Sequence, residues 1–346
     1  MSRINLRKLF VLSVILGLAT LSCSVEAAQT PKLSQRPDVQ EFIQKMVAED
    51  GFDAKYLNHL FDQVELQPTS IASISQPAET KDWTYYQGVF ITDKRVADGY
   101  KFWQKHYKVL DSLQQQYGIP PSIIVSILGV ETFYGEKQGE YRVMDALTTL
   151  AFEYPPRQSF FRKELAEYLR LVRDYNLPPF ALKGSYAGAI GMPQFMPSSY
   201  RYYAVTYEGT HAINLQKNED DILASVANYF KKNGWRRDGP ILASVSITKN
   251  NALATITPNV APTQTIRELY NAGLHVEGNY DPTLKANLVL LNTPDKPLYY
   301  LGFNNFYTIM RYNVSVNYAM AVYTLSGILE RCWEQKAKSC GIEESE

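Results

Sequence analysis

Glu131 ends an apolar run whose spacing defines its surroundings. Ile123, Ile124, Ile127 and Leu128 lie 8, 7, 4 and 3 residues before it, so on a helix they share its face. The carboxyl then points to the buried side. Burial disfavours the charged form and raises the pKa toward the range a general acid needs near neutral pH. Pro120 and Pro121 stand where a helix tolerates proline at its start, and Gly135 offers a stop after Tyr134. Periodicity alone fits equally a structural glutamate satisfied by a basic partner or by backbone donors.

A second segment shifts that balance. Residues 184 to 200 read Gly-Ser-Tyr-Ala-Gly-Ala-Ile-Gly-Met-Pro-Gln-Phe-Met-Pro-Ser-Ser-Tyr. Gly188 and Gly191 permit tight turns or close approach of backbone to a ligand. A glycine-rich turn between helices accounts for the glycines, but not for Ser185, Gln194 and Tyr200 clustered with them.

Val-Glu-Thr-Phe-Tyr-Gly at 130 to 135 and the 185 to 200 segment together resemble the signature of the MltB-type lytic murein transglycosylases. The likeness continues through Ser-Val-Ala-Asn-Tyr-Phe and Gly-Trp between 221 and 235. It then takes in Arg-Tyr-Asn-Val-Ser-Val-Asn-Tyr-Ala-Met-Ala at 311 to 321. The resemblance implies that Glu131 is the sole catalytic acid and base, with Ser185 hydrogen-bonded to its carboxylate. It also makes Gln194, Tyr312, Asn313 and Tyr318 cleft residues, although the helical stripe on which Tyr318 lies equally suits core packing. Amide and phenol groups suit the N-acetyl and hydroxyl groups of sugars, and Phe195 or Tyr229 offers a ring to stack on. Where the family commonly has two adjacent arginines this chain has Pro156 and Arg157, so only Arg157 remains to meet the muramyl lactate or stem peptide. Some relatives carry a calcium loop before the helix at Asp221. Residues 205 to 220 lack the required Asp/Asn alternation, and neither metal nor other cofactor is expected.

An ordinary glycosidase uses two carboxylates. The other acids near these motifs suit other roles: Glu136 and Glu140 trail in a loop, Glu153 precedes a Pro-Pro turn, and Asp220 and Asp221 suit a helix N-cap. One carboxylate serving twice is what a lytic transglycosylase implies. Glu131 protonates the bond after N-acetylmuramic acid in a peptidoglycan strand, then takes the proton of that sugar's 6-hydroxyl, leaving a 1,6-anhydro end. A hydrolytic muramidase would need a second acid, and a silent glycan binder would not need Glu131.

The elements that must position these residues are mostly helical. Apolar spacing predicts a helix pair over 38 to 64, an irregular polar stretch from Pro68 to Asp82, and a long helix from Val96 to Tyr117. Between Gly239 and Phe303 the period changes to two. Ile241 to Ile247, a turn at Asn250-Asn251 and Leu253 to Thr257 read as a hairpin, followed by strands near 286 to 292 and 298 to 303 and a helix over 265 to 272. Helix returns from Ser315 to Trp333. The expected fold is α+β, predominantly α. It has a helical lobe (28–117), a lysozyme-like core (118–238 and 303–346) and an inserted β-rich lobe (239–302).

Arg3, Arg7 and Lys8 before the apolar run Leu9 to Leu21 mark residues 1–27 as a secretory signal, with lipid attachment at Cys23 as the alternative to cleavage near Ala27. Without that leader, 32 basic residues face 34 acidic ones, which excludes recruitment of nucleic acid by charge. No later stretch reaches the roughly 20 apolar residues of a spanning helix. The mature chain is therefore expected in the periplasm, as a monomer on glycan strands, soluble or lipid-held at the outer membrane. Cys332 and Cys340 either pair or remain free thiols. His59, His106, His211 and His275 lack metal-ligand spacing.

Overall fold

Helix α1 (Pro37–Asp50) begins on a proline and stops at Gly51, whose φ of 67° is left-handed. Asp53 caps α2 (Ala54–Asp62) by accepting the Tyr56 N–H at 2.7 Å. These two form the helix pair expected over 38 to 64. The computed structural model describes residues 32–75, 81–209, 213–248, 253 and 256–336. The leader with Cys23, the Asn250-Asn251 turn, His211 and Cys340 lie outside them. Cys332 is buried and disulfide-bonded.

The polar stretch after Pro68 is not wholly irregular, because Pro68–Ile74 forms α3. A seven-residue helix has too few turns to show a stripe. Its entry is set from outside, where the Gln67 N–H donates to the Thr149 hydroxyl at 2.8 Å. After α4 (Trp83–Phe90), α5 (Asp93–Tyr117) starts on a Thr92 cap and is kinked at His106. Helix α6 (Pro121–Thr132) follows, then β1 (Tyr141–Arg142), α7 (Val143–Glu153), α8 (Gln158–Asp174), β2 (Lys183–Gly184), α9 (Pro197–Tyr203) and α10 (Glu219–Lys232). The N-cap of α10 is Asn218, which accepts the Asp221 N–H at 3.2 Å. Asp220 and Asp221 thus sit inside the first turn rather than capping it.

The sheet consists of β3 (Leu242–Ile247), β4 (Gln264–Thr265), β5 (Leu274–Val276), β6 (Lys285–Leu291) and β7 (Leu298–Phe303). Its order is β4-β6-β7-β3-β5, every pair antiparallel. The turn of the expected hairpin and residues 254 and 255 of its second arm lie outside the described residues; among the described residues β3 pairs with strands from later in the chain. Its first half pairs with β7 (Ala243 opposite Leu301) and its second half with β5 (Ser246 opposite His275). Alternation reports which face a strand buries, not which strand it pairs with. Helix α11 (Ile266–Ala272) opens on a Thr265–Glu268 capping box.

Helices α12 (Asn304–Tyr312) and α13 (Val316–Glu334) return the chain to the helical body. One apolar core runs from Val39 on α1 through α6 to Leu329 on α13. A second, with Leu269, Leu288, Leu301 and Phe303, lies within the β-rich lobe. The protein is α+β and predominantly helical. Among the described residues no helix is long and apolar enough to cross a membrane.

Candidate active site

Helix α6 has no wet face. Every residue from Pro121 to Thr132 is buried except Glu131, the one point at which the helix opens. The apolar spacing that points to a buried side is therefore right about the surroundings of Glu131 and wrong about the helix, which has apolar neighbours all round. Nor does α6 reach Tyr134. Phe133 and Tyr134 both take left-handed conformations, at φ 54° and 59°, and end it before Gly135.

Burial pushes the Glu131 carboxyl up to about 7, and a hydrogen bond from Tyr318 partly opposes that rise. The Tyr318 hydroxyl donates to Glu131 Oε1 at 2.7 Å. Helix α13 brings it there. The Ser315 side chain caps its start by accepting the Tyr318 N–H at 3.3 Å, and Tyr318 itself is 3% exposed. Burial pushes the Tyr318, Tyr312 and Tyr229 phenols up, so all three keep their protons as donors.

Tyr312 lies near-parallel to Tyr318, with ring centroids 6.4 Å apart, and donates to the Pro193 carbonyl at 2.6 Å. Tyr229 donates to the Arg311 carbonyl at 2.7 Å. Phe195 packs 5.8 Å from both Tyr229 and Tyr312. These rings do not offer the stacking faces expected of Phe195 and Tyr229. Both are buried, and they form an aromatic floor that supports Tyr312 and Tyr318.

The segment at 184 to 200 folds back on itself. Gly184 pairs with Tyr141, Ile190 bridges both Gly184 and Phe195, and Gly188 and Gly191 have φ of 83° and 71°. Ser185 does not bond Glu131 here. Its oxygen accepts the N–H groups of Ala187 and Ala189 at 3.3 and 3.1 Å, a local turn that competes for the hydroxyl. Gln194, at φ 50°, spends its side-chain N–H groups on the carbonyls of Gln138 and Gly191. Thr132, which the motif reading passed over, joins the two motifs. Its hydroxyl donates to the Met192 carbonyl at 2.9 Å and accepts the Gly135 N–H at 3.1 Å.

Asn313 is exposed at the end of α12, and Arg157 is exposed at the start of α8 with its guanidinium 4.5 Å from the Phe160 ring centre. Neither bonds Glu131. The other acids are engaged elsewhere: Glu153 with Arg36, Glu136 with Lys94, Asp220 with His106, and Asp221 with the Tyr207 N–H. Among the described residues, no second carboxylate contributes to the electrostatics of Glu131. A groove of about 550 Å³ between α1 and α8, lined by Lys45, Arg162 and Glu167 among others, holds none of the residues around Glu131.

The sequence model of the transglycosylase SLT domain matches residues 34–327 of this chain. The chain belongs to that family, the lytic murein transglycosylases. It is 39% identical over 303 residues to the membrane-bound lytic murein transglycosylase B of Escherichia coli K12, covering 84% of this chain and 82% of that protein. The crystal structure of the soluble lytic transglycosylase SltB1 from Pseudomonas aeruginosa superposes with a TM-score of 0.80 at 43% identity, covering 86% of this chain and all of that one. SltB3 from the same organism, solved in complex with NAG-NAM-pentapeptide, gives a TM-score of 0.72 at 29% identity over 84% of this chain and 78% of that one. These neighbours give the lytic transglycosylase family assignment a structural basis: the core that holds Glu131 is lysozyme-like.

Proposed function

We propose that this transglycosylase cuts the β-1,4 bond between N-acetylmuramic acid and N-acetylglucosamine in peptidoglycan, with Glu131 acting first as acid and then as base, and releases a 1,6-anhydro end. One observation carries this reading. A desolvated carboxyl titrating near 7, with one tyrosine donor and no second carboxylate beside it among the described residues, is populated in both protonation states at neutral pH. The protonated form gives its proton to the glycosidic oxygen as the bond to the muramyl carbon breaks. The carboxylate that remains accepts the proton of the 6-hydroxyl as that oxygen closes on the same carbon. An oriented hydroxyl on the substrate replaces water because its effective concentration is far higher, and the N-acetyl group supports the cationic centre meanwhile.

Gln194, Tyr312, Asn313 and Arg157 border the strand in this reading, and Ser185 steadies the turn beneath it. Export through the leader at 1–27 puts the mature chain in the periplasm beside its substrate, as a monomer, soluble or held by a lipid on Cys23. Mass spectrometry of digested murein tests the chemistry: anhydromuramyl ends are expected, and reducing muramic acid ends would mark a hydrolase instead.

Tyr318→Phe probes the acid directly. It removes the bond that stabilises the Glu131 carboxylate, so the carboxyl pKa rises further and the alkaline limb of the kcat profile moves up with it. A fall in kcat of roughly 10-fold accompanies the loss of a hydrogen bond to a charged group. An alkaline limb that stays in place would count against Tyr318 as the tuning donor.

A further inference from the structure

Arg95 on α5 is a buried cation without an anion. It is 8% exposed, and among the described residues no carboxylate pairs with it. Its Nε donates to the Gly129 carbonyl at 3.0 Å and one Nη to the Val89 carbonyl at 2.6 Å. The guanidinium carbon lies 5.1 Å from the Phe90 ring centre and 4.8 Å from that of Phe133, so two rings hold it. The Arg95 main-chain carbonyl in turn accepts the Tyr134 hydroxyl at 2.8 Å.

All the α6-side contacts bracket Glu131. Gly129 is two residues before it, Phe133 two after and Tyr134 three after. The N–H groups of Phe133 and Tyr134 both turn back to the Leu128 carbonyl, so the Gly129 carbonyl does not receive the Phe133 N–H that a continuing helix would give it, and it accepts from Arg95. The Tyr134 ring fills the space that side chains at Gly99 and Gly129 would occupy, because a Cβ at either would come within 2.3 and 2.6 Å of its hydroxyl oxygen. Two adjacent non-glycine residues at positive φ are costly and persist only where their surroundings enforce them. Here the enforcement is Arg95 and the glycine-lined slot. A structural ion pair elsewhere in α6 would not need this arrangement.

We infer that Arg95 is a positioning residue for the reaction. By tying the Gly129 carbonyl and the Phe133 ring to α5, it fixes the last turn of α6 and holds the Glu131 carboxyl against Tyr318. The inference rests on Glu131 being the acid. Arg95 is buried with its guanidinium on the Gly129 and Val89 carbonyls, so its loss is expected to change turnover and leave substrate binding intact.

The experiment compares Arg95→Met, Arg95→Lys and Phe133→Leu with the parent chain and Glu131→Gln, using purified murein and a ¹³C titration of the Glu131 carboxyl by NMR. The groups facing that carboxyl are Tyr229, Tyr312 and Tyr318, all protonated in this range. Arg95→Met is expected to lower kcat by about 10- to 100-fold, the scale of a misplacement near 1 Å, with KM changed by no more than about twofold. The Glu131 titration moves up as its bond from Tyr318 is lost. Arg95→Lys keeps the charge but not the planar fork, and restores only part of the turnover. Where Arg95→Met does not fold, Phe133→Leu decides, with the same signs and a smaller size. An unmoved Glu131 titration in folded Arg95→Met, or in Phe133→Leu if that variant alone folds, overturns the inference, as does a kcat unchanged per folded molecule. Full activity in Glu131→Gln would instead remove the reading of Glu131, and the titration would still report whether Arg95 positions its carboxyl.

Discussion

Glu131→Gln is expected to cut the rate of murein cleavage by roughly 10³-fold or more, since positioned acid–base groups contribute about 10²- to 10⁴-fold and the proposed mechanism uses this one in both half-steps. The same change is expected to make the chain harder to unfold above pH 7. In the unfolded chain this carboxyl titrates at its ordinary 4.5, and in the fold at about 7. Below 4.5 both states hold the proton, and the residue costs the fold nothing. Between 4.5 and 7 the unfolded state ionises first, so stability is lost as pH rises. Above 7 the loss is complete, at about 3 kcal/mol. Glutamine does not titrate and is free of that loss. Urea unfolding of both proteins at pH 4 and pH 8 checks the sign: the variant's advantage should be absent or small at the lower pH and appear at the higher. Equal differences at both would mean that the carboxyl is not desolvated as the structure has it.

How far the site could be read from sequence depended on which interactions were local. The apolar surroundings of Glu131 were legible because those neighbours are on its own helix. Its donor was not, because Tyr318 is 187 residues away on α13. There the stripe containing Tyr318, Val322 and Leu325 reads as core. The ring of Tyr318 is in the core, and its hydroxyl meets the Glu131 carboxyl. Phe195 and Tyr229 show the opposite case, since a sequence displays the ring but not its exposure, and packing against Tyr312 buries both. Ser185 was assigned a distant partner and found a nearer one in its own turn. Arg95 gave no signal at all. An arginine in the first turn of a long helix ordinarily faces solvent, and only the joint presence of Gly99, Gly129 and Tyr134 distinguishes it. In the β-rich lobe the alternation of β3 was legible, whereas its described partners, β5 and β7, come from later in the chain.

The glycine at 191 supports a second large effect, and Gly51 supplies its control. Both have left-handed backbones, with φ of 71° and 67°. An added methyl at Gly51 meets nothing within 4 Å, but at Gly191 it would lie 2.2 Å from the Leu215 carbonyl oxygen. Gly51→Ala is therefore expected to cost only the conformational strain, about 1 kcal/mol. Gly191→Ala adds a collision with main chain that no side-chain rotation relieves, and about 3 kcal/mol or more is expected in total. The collision also falls on a shared atom. Leu215 O accepts the Met192 N–H at 3.0 Å, and the Met192 carbonyl accepts the Thr132 hydroxyl. Pushing Leu215 away loosens the strap between the 184 to 200 segment and the end of α6, so murein cleavage falls with stability in Gly191→Ala and holds in Gly51→Ala. Urea midpoints with unchanged slopes measure the two costs. If the two variants lose the same stability, strain alone explains both, and the contact with Leu215 does not hold the segment that carries Gln194.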